Sequence, residues 1–389
     1  MRAVCWSGSR QLATEIVPDP VLINPRDAIV RVTTSGLCGS DLHIYGGDVP
    51  GVEKGDILGH EFCGTVVELG DGVRNLAVGD RVVVPSVISC GNCFYCRSDE
   101  WSLCDNSNPN AWLAERVFGL SSAGLFGYSH LFGGYAGSHA EYVRVPFADV
   151  GPAKIPEGVS EEQAVFTSDA FPTGMMAAEF CNIRPGDVIA VWGAGPVGQC
   201  VMMSALLLGA ERVIAVDRVE SRLAAASAHL QAETLNAERC DVVETLRDLT
   251  GGRGPDACVD AAGMELHGLG LADTYTRVKH ALGADWDRPT VLGQAILSCR
   301  KGGTLVVVGT YSGADDAIPM SAAINKGLTI RTGQQHGQKY VRPLLSAIAN
   351  RKVDPSYLVT HRLPLERAAE GLRMLETNAD ECMKVLLLP

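Results

Sequence analysis

Short apolar runs, separated by turn residues, predict a mostly β-stranded region in the first 150 residues. Prolines at 18, 20 and 25 interrupt the earliest runs, and glycines punctuate the later ones. Runs of this length between turn residues are typical of strands, and we find no helical period of any length among them. The runs lie at residues 3–6, 12–17, 28–34, 61–69, 81–87 and 140–146.

A different pattern, strand–turn–helix–strand, occupies residues 188–217. The unbroken apolar run Val188–Trp192 predicts a strand buried on both faces of a parallel sheet. A glycine-rich turn follows, then a helix that is apolar nearly all round and is expected to stop at Gly209. A second apolar run, 213–216, ends at Asp217.

The glycine-rich turn has the G-x-G-x-x-G spacing of dinucleotide-binding proteins. Its first glycine permits a tight turn, the second lets backbone approach a pyrophosphate, and the third lets helix pack closely on strand. Alone this spacing is a weak signal, but strand, turn, helix, strand and acid occur here in the expected order. The turn consists of Gly193, Ala194, Gly195, Pro196, Val197 and Gly198.

Asp217 favours NAD over NADP. A carboxylate at this strand end accepts hydrogen bonds from a ribose diol and repels a 2′-phosphate. It stands nineteen residues beyond Gly198, although its neighbour Arg218 weakens the preference. Arg222, in a helix predicted over 219–230, is placed to flank the adenine ribose.

Strand-like and helix-like segments continue to alternate after residue 230. Alternation of this kind predicts βαβ units and a doubly wound parallel sheet, so we expect an α/β fold. A longer segment, 265–291, predicts a helical insertion that either encloses the cofactor or decorates the surface. The remaining predicted elements are strands 257–260, 305–308, 328–332 and 383–388, and helices 340–349 and 365–375.

Composition narrows the class of protein. The 389 residues suffice for two domains, and 46% hydrophobic with 20% charged residues is ordinary for a globular protein. A net charge of −12 argues against nucleic acid or anionic membrane as a partner. No run of about 18 apolar residues predicts a membrane span, and we expect no secretory leader. Thirteen cysteines, an odd number, favour a reducing cytoplasm over a disulfide framework.

Four cysteines between residues 90 and 104 predict a structural zinc site. Closely spaced thiolates in one loop can wrap a tetrahedral ion, and a closed four-thiolate site leaves no position for substrate. Four clustered free thiols are the weaker alternative. The ligands would be Cys90, Cys93, Cys96 and Cys104.

Cysteine and histidine also occur in Gly36-Leu37-Cys38-Gly39-Ser40-Asp41-Leu42-His43 and Gly59-His60-Glu61-Phe62-Cys63-Gly64. Either residue alone is more often an ordinary core or surface residue than a metal ligand. With these motifs, however, almost the whole chain resembles the zinc-dependent medium-chain alcohol dehydrogenases.

This resemblance implies a specific domain order and a set of site residues. A GroES-like catalytic domain would span 1–170, with the structural-zinc lobe at 88–106. A Rossmann domain would span 171–333, and residues 334–389 would return to the catalytic domain. Cys38 and His60 would bind a catalytic zinc, with Asp41 and Glu61 as supporting carboxylates, and Ser40 and His43 would relay a proton to solvent.

The setting Ser168-Asp169-x-x-Pro172-Thr173-Gly174 resembles the glutathione-independent formaldehyde dehydrogenase branch. Many zinc alcohol dehydrogenases carry cysteine as third ligand where this chain has Asp169, and a carboxylate is an acceptable replacement. The resemblance further puts Thr173 near the nicotinamide and Lys384 on the pyrophosphate. Met175-Met176 departs from the Tyr-His usual in this branch and weakens the analogy for the substrate.

The implied activity is hydride transfer between an alcohol or aldehyde and NAD, with one catalytic and one structural zinc per chain. A polyol, sugar or amino-alcohol dehydrogenase is the nearer alternative. A non-catalytic dinucleotide-binding protein is the more distant one, and a dismutase that retains its nucleotide is a third. Homodimers and homotetramers are both usual in this family.

The stretch 111–138 is rich in glycine and aromatic residues, and it either covers the cleft or only packs between lobes or subunits. Within it, Tyr128 and His130 are candidate substrate contacts.

Overall fold

The computed structural model describes residues 1–262, 291–309 and 318–389. These residues divide into two compact units. Unit 1 comprises Met1–Thr173 and Gln334–Pro389, and unit 2 comprises Gly174–Gly333. The insertion predicted over 265–291 lies, up to residue 290, outside the described residues.

The strands of the described residues are β1 (Arg2–Gly8), β2 (Gln11–Ile16), β3 (Ala28–Gly36), β4 (Glu61–Leu69), β5 (Arg81–Val84), β6 (Val87–Ile88), β7 (Gly124–Leu125), β8 (Tyr142–Val145), β9 (Ala153–Lys154), β10 (Val188–Trp192), β11 (Arg212–Asp217), β12 (Glu233–Asn236), β13 (Ala257–Asp260), β14 (Thr304–Val307), β15 (Thr329–Thr332), β16 (Val359–Pro364) and β17 (Lys384–Leu388). The helices are α1 (Gly39–Gly46), α2 (Phe94–Arg97), α3 (Ala111–Phe118), α4 (Glu161–Ala164), α5 (Ala170–Phe180), α6 (Pro196–Leu207), α7 (Glu220–Leu230), α8 (Val242–Leu249), α9 (Val291–Ser298), α10 (Met320–Lys326), α11 (Gly337–Ala349) and α12 (Ala368–Thr377).

Unit 2 is built on a parallel sheet with the strand order β12-β11-β10-β13-β14-β15. All five residues of β10 are buried, because apolar cores cover both faces of the sheet. Ile189 and Val191 pack with α6 and α7 on one face, whereas Val188 and Ala190 pack with α8 and α9 on the other. Alternate side chains of a strand point to opposite faces, so an unbroken apolar run suits this position. The predicted doubly wound α/β fold is confirmed.

Unit 1 is organised around a mainly antiparallel sheet with the order β16-β17-β3-β4-β5-β9, and β8 also pairs with β3. β17 pairs antiparallel with β3 and parallel with β16. The segment after residue 334 therefore completes the sheet that the first 173 residues begin. Apolar side chains of β3, β4, β5 and β8 form the core on which the site residues rest.

The first region also contains short helices that the apolar pattern did not predict. α1 follows β3, and α3 occupies the start of the glycine- and aromatic-rich stretch 111–138. α1 depends on a capping interaction at its first turn rather than on an apolar period, since the Asp41 carboxylate accepts a hydrogen bond from the Cys38 amide. Within the described residues, no helix is long and apolar enough to cross a bilayer.

Candidate active site

Strand pairing brings two of the proposed ligands together. Gly36, the last residue of β3, lies opposite Glu61, the first residue of β4. Cys38 follows β3 by two positions and His60 immediately precedes β4. Two segments separated by more than twenty residues in sequence therefore meet at one edge of the sheet.

Helix α1 presents three polar side chains beside these ligands. Asp41 is fully buried, and its Oδ1 lies 3.6 Å from Nδ1 of His60. Ser40 Oγ lies 3.3 Å from Nε2 of the same histidine. The Nε2 atom of His43 is buried and has no hydrogen-bond partner among the described residues. The two nitrogens of His60 thus face different groups, one a supporting carboxylate and the other the ligand cluster.

Asp169 completes the cluster from a third segment, at the point where a 3₁₀ turn over 165–168 meets α5. Its Oδ2 lies 3.4 Å from His60 Nε2. Its Oδ1 accepts a hydrogen bond from Ser86 Oγ at 3.1 Å, and Gln335 Nε2 donates to that hydroxyl at 2.7 Å. Thr173 Oγ1 donates to the Asp169 carbonyl at 2.9 Å. The carboxylate is thereby held in a fixed orientation.

Four potential metal ligands, Cys38, His60, Glu61 and Asp169, have donor atoms that all lie within 4.8 Å of one another. Burial alone would lower the pKa of His60, but the carboxylates of Asp41 and Asp169 raise it well above its usual range. These carboxylates therefore favour a positive charge at the centre of the cluster. Mixed sulfur, nitrogen and oxygen donors suit zinc, so the residues fit the ion that the sequence implies.

Lys384 has a partner in unit 1 that the sequence did not predict. Its side chain is buried in unit 1, and its Nζ lies 2.5 Å from Oε2 of Glu61. Burial lowers the pKa of this ammonium, but Glu61 outweighs that effect and the pKa is raised. A buried carboxylate therefore neutralises the lysine, and its predicted contact with the pyrophosphate stays a prediction.

The four clustered cysteines converge as a second set of ligands, with their sulfurs within 4.8 Å of one another. Cys93 Sγ and Cys96 Sγ are 3.5 Å apart, and the backbone amide of Cys90 donates to Cys104 Sγ at 3.2 Å. The interaction with Cys96 lowers the pKa of Cys104 to about 4. All thirteen cysteines lie within the described residues and none forms a disulfide. The lobe therefore has the donor set of a closed structural zinc site.

The glycine-rich turn of unit 2 connects β10 to α6. Gly193 has φ +89°, which favours glycine, and a Cβ at Gly198 would lie 1.7 Å from the Gly193 carbonyl oxygen. By contrast, a Cβ at Gly195 would meet nothing closer than Arg222 Nη1, at 3.6 Å. Space is therefore left beside the middle glycine, where the backbone of a dinucleotide site approaches the phosphates.

Asp217 is buried at the end of β11. Its Oδ2 accepts from the Ala194 amide at 2.7 Å, and its Oδ1 accepts from the Arg218 and Val219 amides at 2.7 and 2.9 Å. Pro196 is the first residue of α6, where a backbone N–H would have no partner within the helix, so its absence costs no hydrogen bond. Val197, the next residue, is partly buried against the core of this face. One carboxylate thus ties the turn to the end of the neighbouring strand.

The aromatic stretch contributes side chains near the metal ligands. Burial raises the pKa of Tyr128, and the charges of His60 and Cys38 also act on this phenol. Its ring packs edge-to-face on Phe132, with centroids 5.5 Å apart. His130 instead has Asp56 as partner, Nε2 to Oδ1, at 3.2 Å. Of the two candidate substrate contacts, Tyr128 is therefore the one whose pKa is affected by the charges of the ligand cluster.

Sequence reasoning missed several residues that support the site. Ser86 and Gln335 orient Asp169, and Lys384 neutralises Glu61. Met176, expected to alter the cleft, is fully buried in unit 2. No local motif marks these residues, because sheet and helix packing bring them together from positions far apart in sequence.

Comparisons with known proteins agree with this architecture. Residues 24–157 match the alcohol dehydrogenase GroES-like domain, and residues 196–270 match the zinc-binding dehydrogenase family. Fold, ligand cluster and these matches together define a two-domain zinc-binding dehydrogenase. The chain belongs to the zinc-dependent medium-chain alcohol dehydrogenase family, and it is an oxidoreductase.

Individual relatives cover nearly the whole chain. An uncharacterized zinc-type alcohol dehydrogenase-like protein, AdhB, from Bacillus subtilis is 36% identical and covers 100% of both chains. A glutathione-independent formaldehyde dehydrogenase from Pseudomonas aeruginosa is 33% identical over 89% of this chain and 87% of its own length. The solved alcohol dehydrogenase TADH from Thermus sp. ATN1 is 35% identical, with a TM-score of 0.83, over 100% of this chain and 99% of that one.

Proposed function

We propose that this protein oxidises a small alcohol, or reduces the corresponding aldehyde, with NAD and a catalytic zinc held by Cys38, His60 and Asp169. The convergence of these three side chains within 4.8 Å is the observation that carries the proposal. When bound, zinc polarises the substrate oxygen as a Lewis acid. Three protein side chains would hold the ion, as in other catalytic zinc sites, and Glu61 is kept as a supporting carboxylate by its ion pair with Lys384.

Ser40 and His43 are proposed to move the proton. Ser40 Oγ lies beside His60 Nε2 and so faces the ligand cluster, where a substrate hydroxyl would be bound. His43, one turn along α1, has a buried Nε2 without a partner among the described residues. The residue as a whole is half-buried, so His43 is proposed as the end of the relay that is nearer to solvent.

Unit 2 is proposed to bind NAD in preference to NADP. The free space beside Gly195 supports pyrophosphate binding at the N-terminus of α6, with Arg222 as a neighbouring cation. The Asp217 carboxylate supports discrimination against a 2′-phosphate, although Arg218 is adjacent. Thr173 remains a proposed neighbour of the nicotinamide.

For the substrate we propose a small aldehyde or primary alcohol, as for the formaldehyde dehydrogenase to which this chain is similar. Tyr128, whose phenol is affected by the charges of His60 and Cys38, packs edge-to-face on Phe132, and an aromatic pair of this kind supports a compact, apolar substrate. A polyol, sugar or amino-alcohol dehydrogenase is the alternative. We further propose a cytoplasmic homodimer or homotetramer, which sedimentation velocity distinguishes.

Metal analysis combined with two substitutions of Asp169 tests this function. We expect two zinc ions per chain, and NADH formation from small alcohols. Asp169→Asn removes a ligand charge and should lose one zinc and more than about 100-fold in kcat/KM. Asp169→Cys keeps an anionic zinc ligand and should retain metal.

The control is Asp248→Asn, a change on α8 of unit 2, which should leave both ions in place. Two zinc ions in Asp169→Asn would contradict the proposed ligand set. Faster turnover of a polyol panel than of small alcohols would favour the alternative substrate class. Nucleotide released only on acid denaturation, together with aldehyde dismutation, would favour a cofactor-retaining enzyme.

A further inference from the structure

A second buried histidine, His139, lies directly behind the proposed metal ligand His60. Residues 137–139 run alongside residues 57–59, with backbone hydrogen bonds from the His139 amide to the Leu58 carbonyl at 2.8 Å and from Ser138 to Gly59 at 2.9 Å. Gly59 has φ +98°, and a Cβ there would lie 2.4 Å from His139 Nδ1. The ring is therefore fixed against the backbone that immediately precedes the ligand.

His139 and His60 lie near different oxygens of the Asp41 carboxylate. His139 Nε2 lies 3.5 Å from Asp41 Oδ2, while Asp41 Oδ1 lies 3.6 Å from His60 Nδ1. Three atoms of this row, His139 Nε2, Asp41 Oδ1 and His60 Nδ1, are buried and have no hydrogen-bond partner among the described residues. Because unpaired buried polar groups are costly, the three groups are best explained as partners for one another.

The other nitrogen of His139 determines its tautomer. Nδ1 lies 2.9 Å from Ser35 Oγ, and Ser138 Oγ lies 2.8 Å from the same hydroxyl. Ser35 Oγ also lies 3.2 Å from the Glu61 carbonyl oxygen, so its one proton has two acceptors within reach. The Asp41 carboxylate can only accept, and it therefore requires the His139 proton on Nε2, with Ser35 donating to Nδ1. Asp41 then accepts from His60 Nδ1–H, which leaves the lone pair of His60 Nε2 for a metal. Every group in the row has a consistent donor and acceptor role.

We propose that His139 is a positioning residue of the catalytic metal site, which holds Asp41 so that Asp41 orients His60 and fixes its tautomer. This inference rests on the proposed zinc-binding role of His60. Carboxylates behind metal-bound histidines are common, and their loss weakens metal binding about 10- to 100-fold. Here the orientation of the carboxylate itself depends on a further residue, contributed by the segment that precedes β8.

Zinc release from His139→Leu tests the inference. The rate at which a colorimetric chelator takes each ion is measured, and the four-cysteine lobe serves as an internal standard in every molecule. We expect release from the Cys38–His60–Asp169 site to be about 10-fold faster, and release from the lobe to be unchanged. His139→Gln retains an N–H donor and should recover much of the loss. The matched control is His361→Gln, in β16 of the same unit, which should match the wild type.

A double-mutant cycle separates positioning from packing. If His139 acts through Asp41, adding His139→Leu to Asp41→Ala should not accelerate release further, whereas independent effects would multiply. Unchanged release in His139→Leu, equal acceleration at both sites, or multiplied effects would overturn the inference. If His139→Leu does not fold, the rates of zinc release from His139→Gln and His139→Asn are compared instead.

A different experimental result would overturn the proposed function itself. It fails if His60→Ala binds as much zinc as the wild type, because no catalytic ion is then held by His60. If His60→Ala loses one zinc while every His139 variant releases zinc at the wild-type rate, the function stands and only the positioning role is overturned.

Discussion

At the scale of single residues, the site is governed by the pairing of buried charges. Glu61 and Lys384 are both almost completely buried, and each supplies the counter-charge that the other needs. Breaking such a pair leaves one ion without compensation, which is far more costly than replacing both partners. The pair therefore matters to stability as well as to the charge beside the ligand cluster.

Lys384→Met should destabilise the protein by about 3 to 5 kcal/mol, because Glu61 would remain buried and unpaired. Adding Glu61→Gln should recover part of that loss. Denaturant unfolding of unit 1 measures both effects. The control is Lys154→Met, which removes an exposed ion pair with Asp80 and should cost less than about 1 kcal/mol. Equal losses in Lys384→Met and Lys154→Met would contradict this account.

Sequence-based prediction of single residues depends on local motifs and does not detect partners that are distant in the chain. Cys38, Asp41 and His60 come from motifs that retain their spacing, and the structure brings them together. The ion pair of Lys384 with Glu61 was not predicted, because a lone late lysine carries no positional signal. Only the pairing of β17 with β3 places it next to Glu61.

At the scale of elements, the turn between β10 and α6 contains two glycines, Gly195 and Gly198, that are present for different reasons. Gly198 is required by packing, since a Cβ there would overlap the Gly193 carbonyl oxygen at 1.7 Å. Gly195 has room for a Cβ in the absence of ligand. Packing therefore requires a glycine at position 198, whereas the glycine at position 195 is proposed to serve the approach of a bound phosphate.

We expect Gly195→Ala to fold normally but to bind NAD at least about 10-fold more weakly, because its Cβ obstructs close approach of the pyrophosphate. Gly198→Ala should instead lower the unfolding temperature, because helix and strand can no longer pack. Calorimetric titration and circular dichroism measure the two effects. Unaltered NAD affinity in Gly195→Ala would place the pyrophosphate elsewhere.

Periodicity predicted the elements of unit 2 better than those of unit 1. β13 begins and ends at the predicted residues, and α7 begins within one residue of the prediction. Long apolar runs on a doubly covered sheet give a strong signal. α1 and α3, in contrast, are eight-residue helices whose ends depend on local hydrogen bonds, and so short a helix has little period to detect.

At the scale of the whole molecule, each unit has its own apolar core, and the proposed ligands divide between them. The proposed zinc ligands all belong to unit 1, whereas the glycine-rich turn and Asp217 belong to unit 2. A ligand that binds only the folded form stabilises the unit that binds it. Zinc and dinucleotide should therefore stabilise different parts of the chain.

NAD at about 100 times its dissociation constant should stabilise unit 2 by about 2.7 kcal/mol, and NADP at equal concentration should do less. Differential scanning calorimetry with each nucleotide measures the shift. The Gly195→Ala variant is the control, because it should lose most of the effect. An equal shift with NADP would argue against discrimination by Asp217.

The insertion of β17 between β3 and β16 has a consequence for biosynthesis. A ribosome produces all of unit 2 before it produces β17, so a growing chain can form β3 and β4 long before their neighbouring strand exists. During that interval Glu61 has no Lys384 to neutralise it, although Cys38, His60 and Asp169 have all been translated. Zinc captured co-translationally would then offset the charge of a half-finished sheet, and metal supply would influence the yield of folded protein.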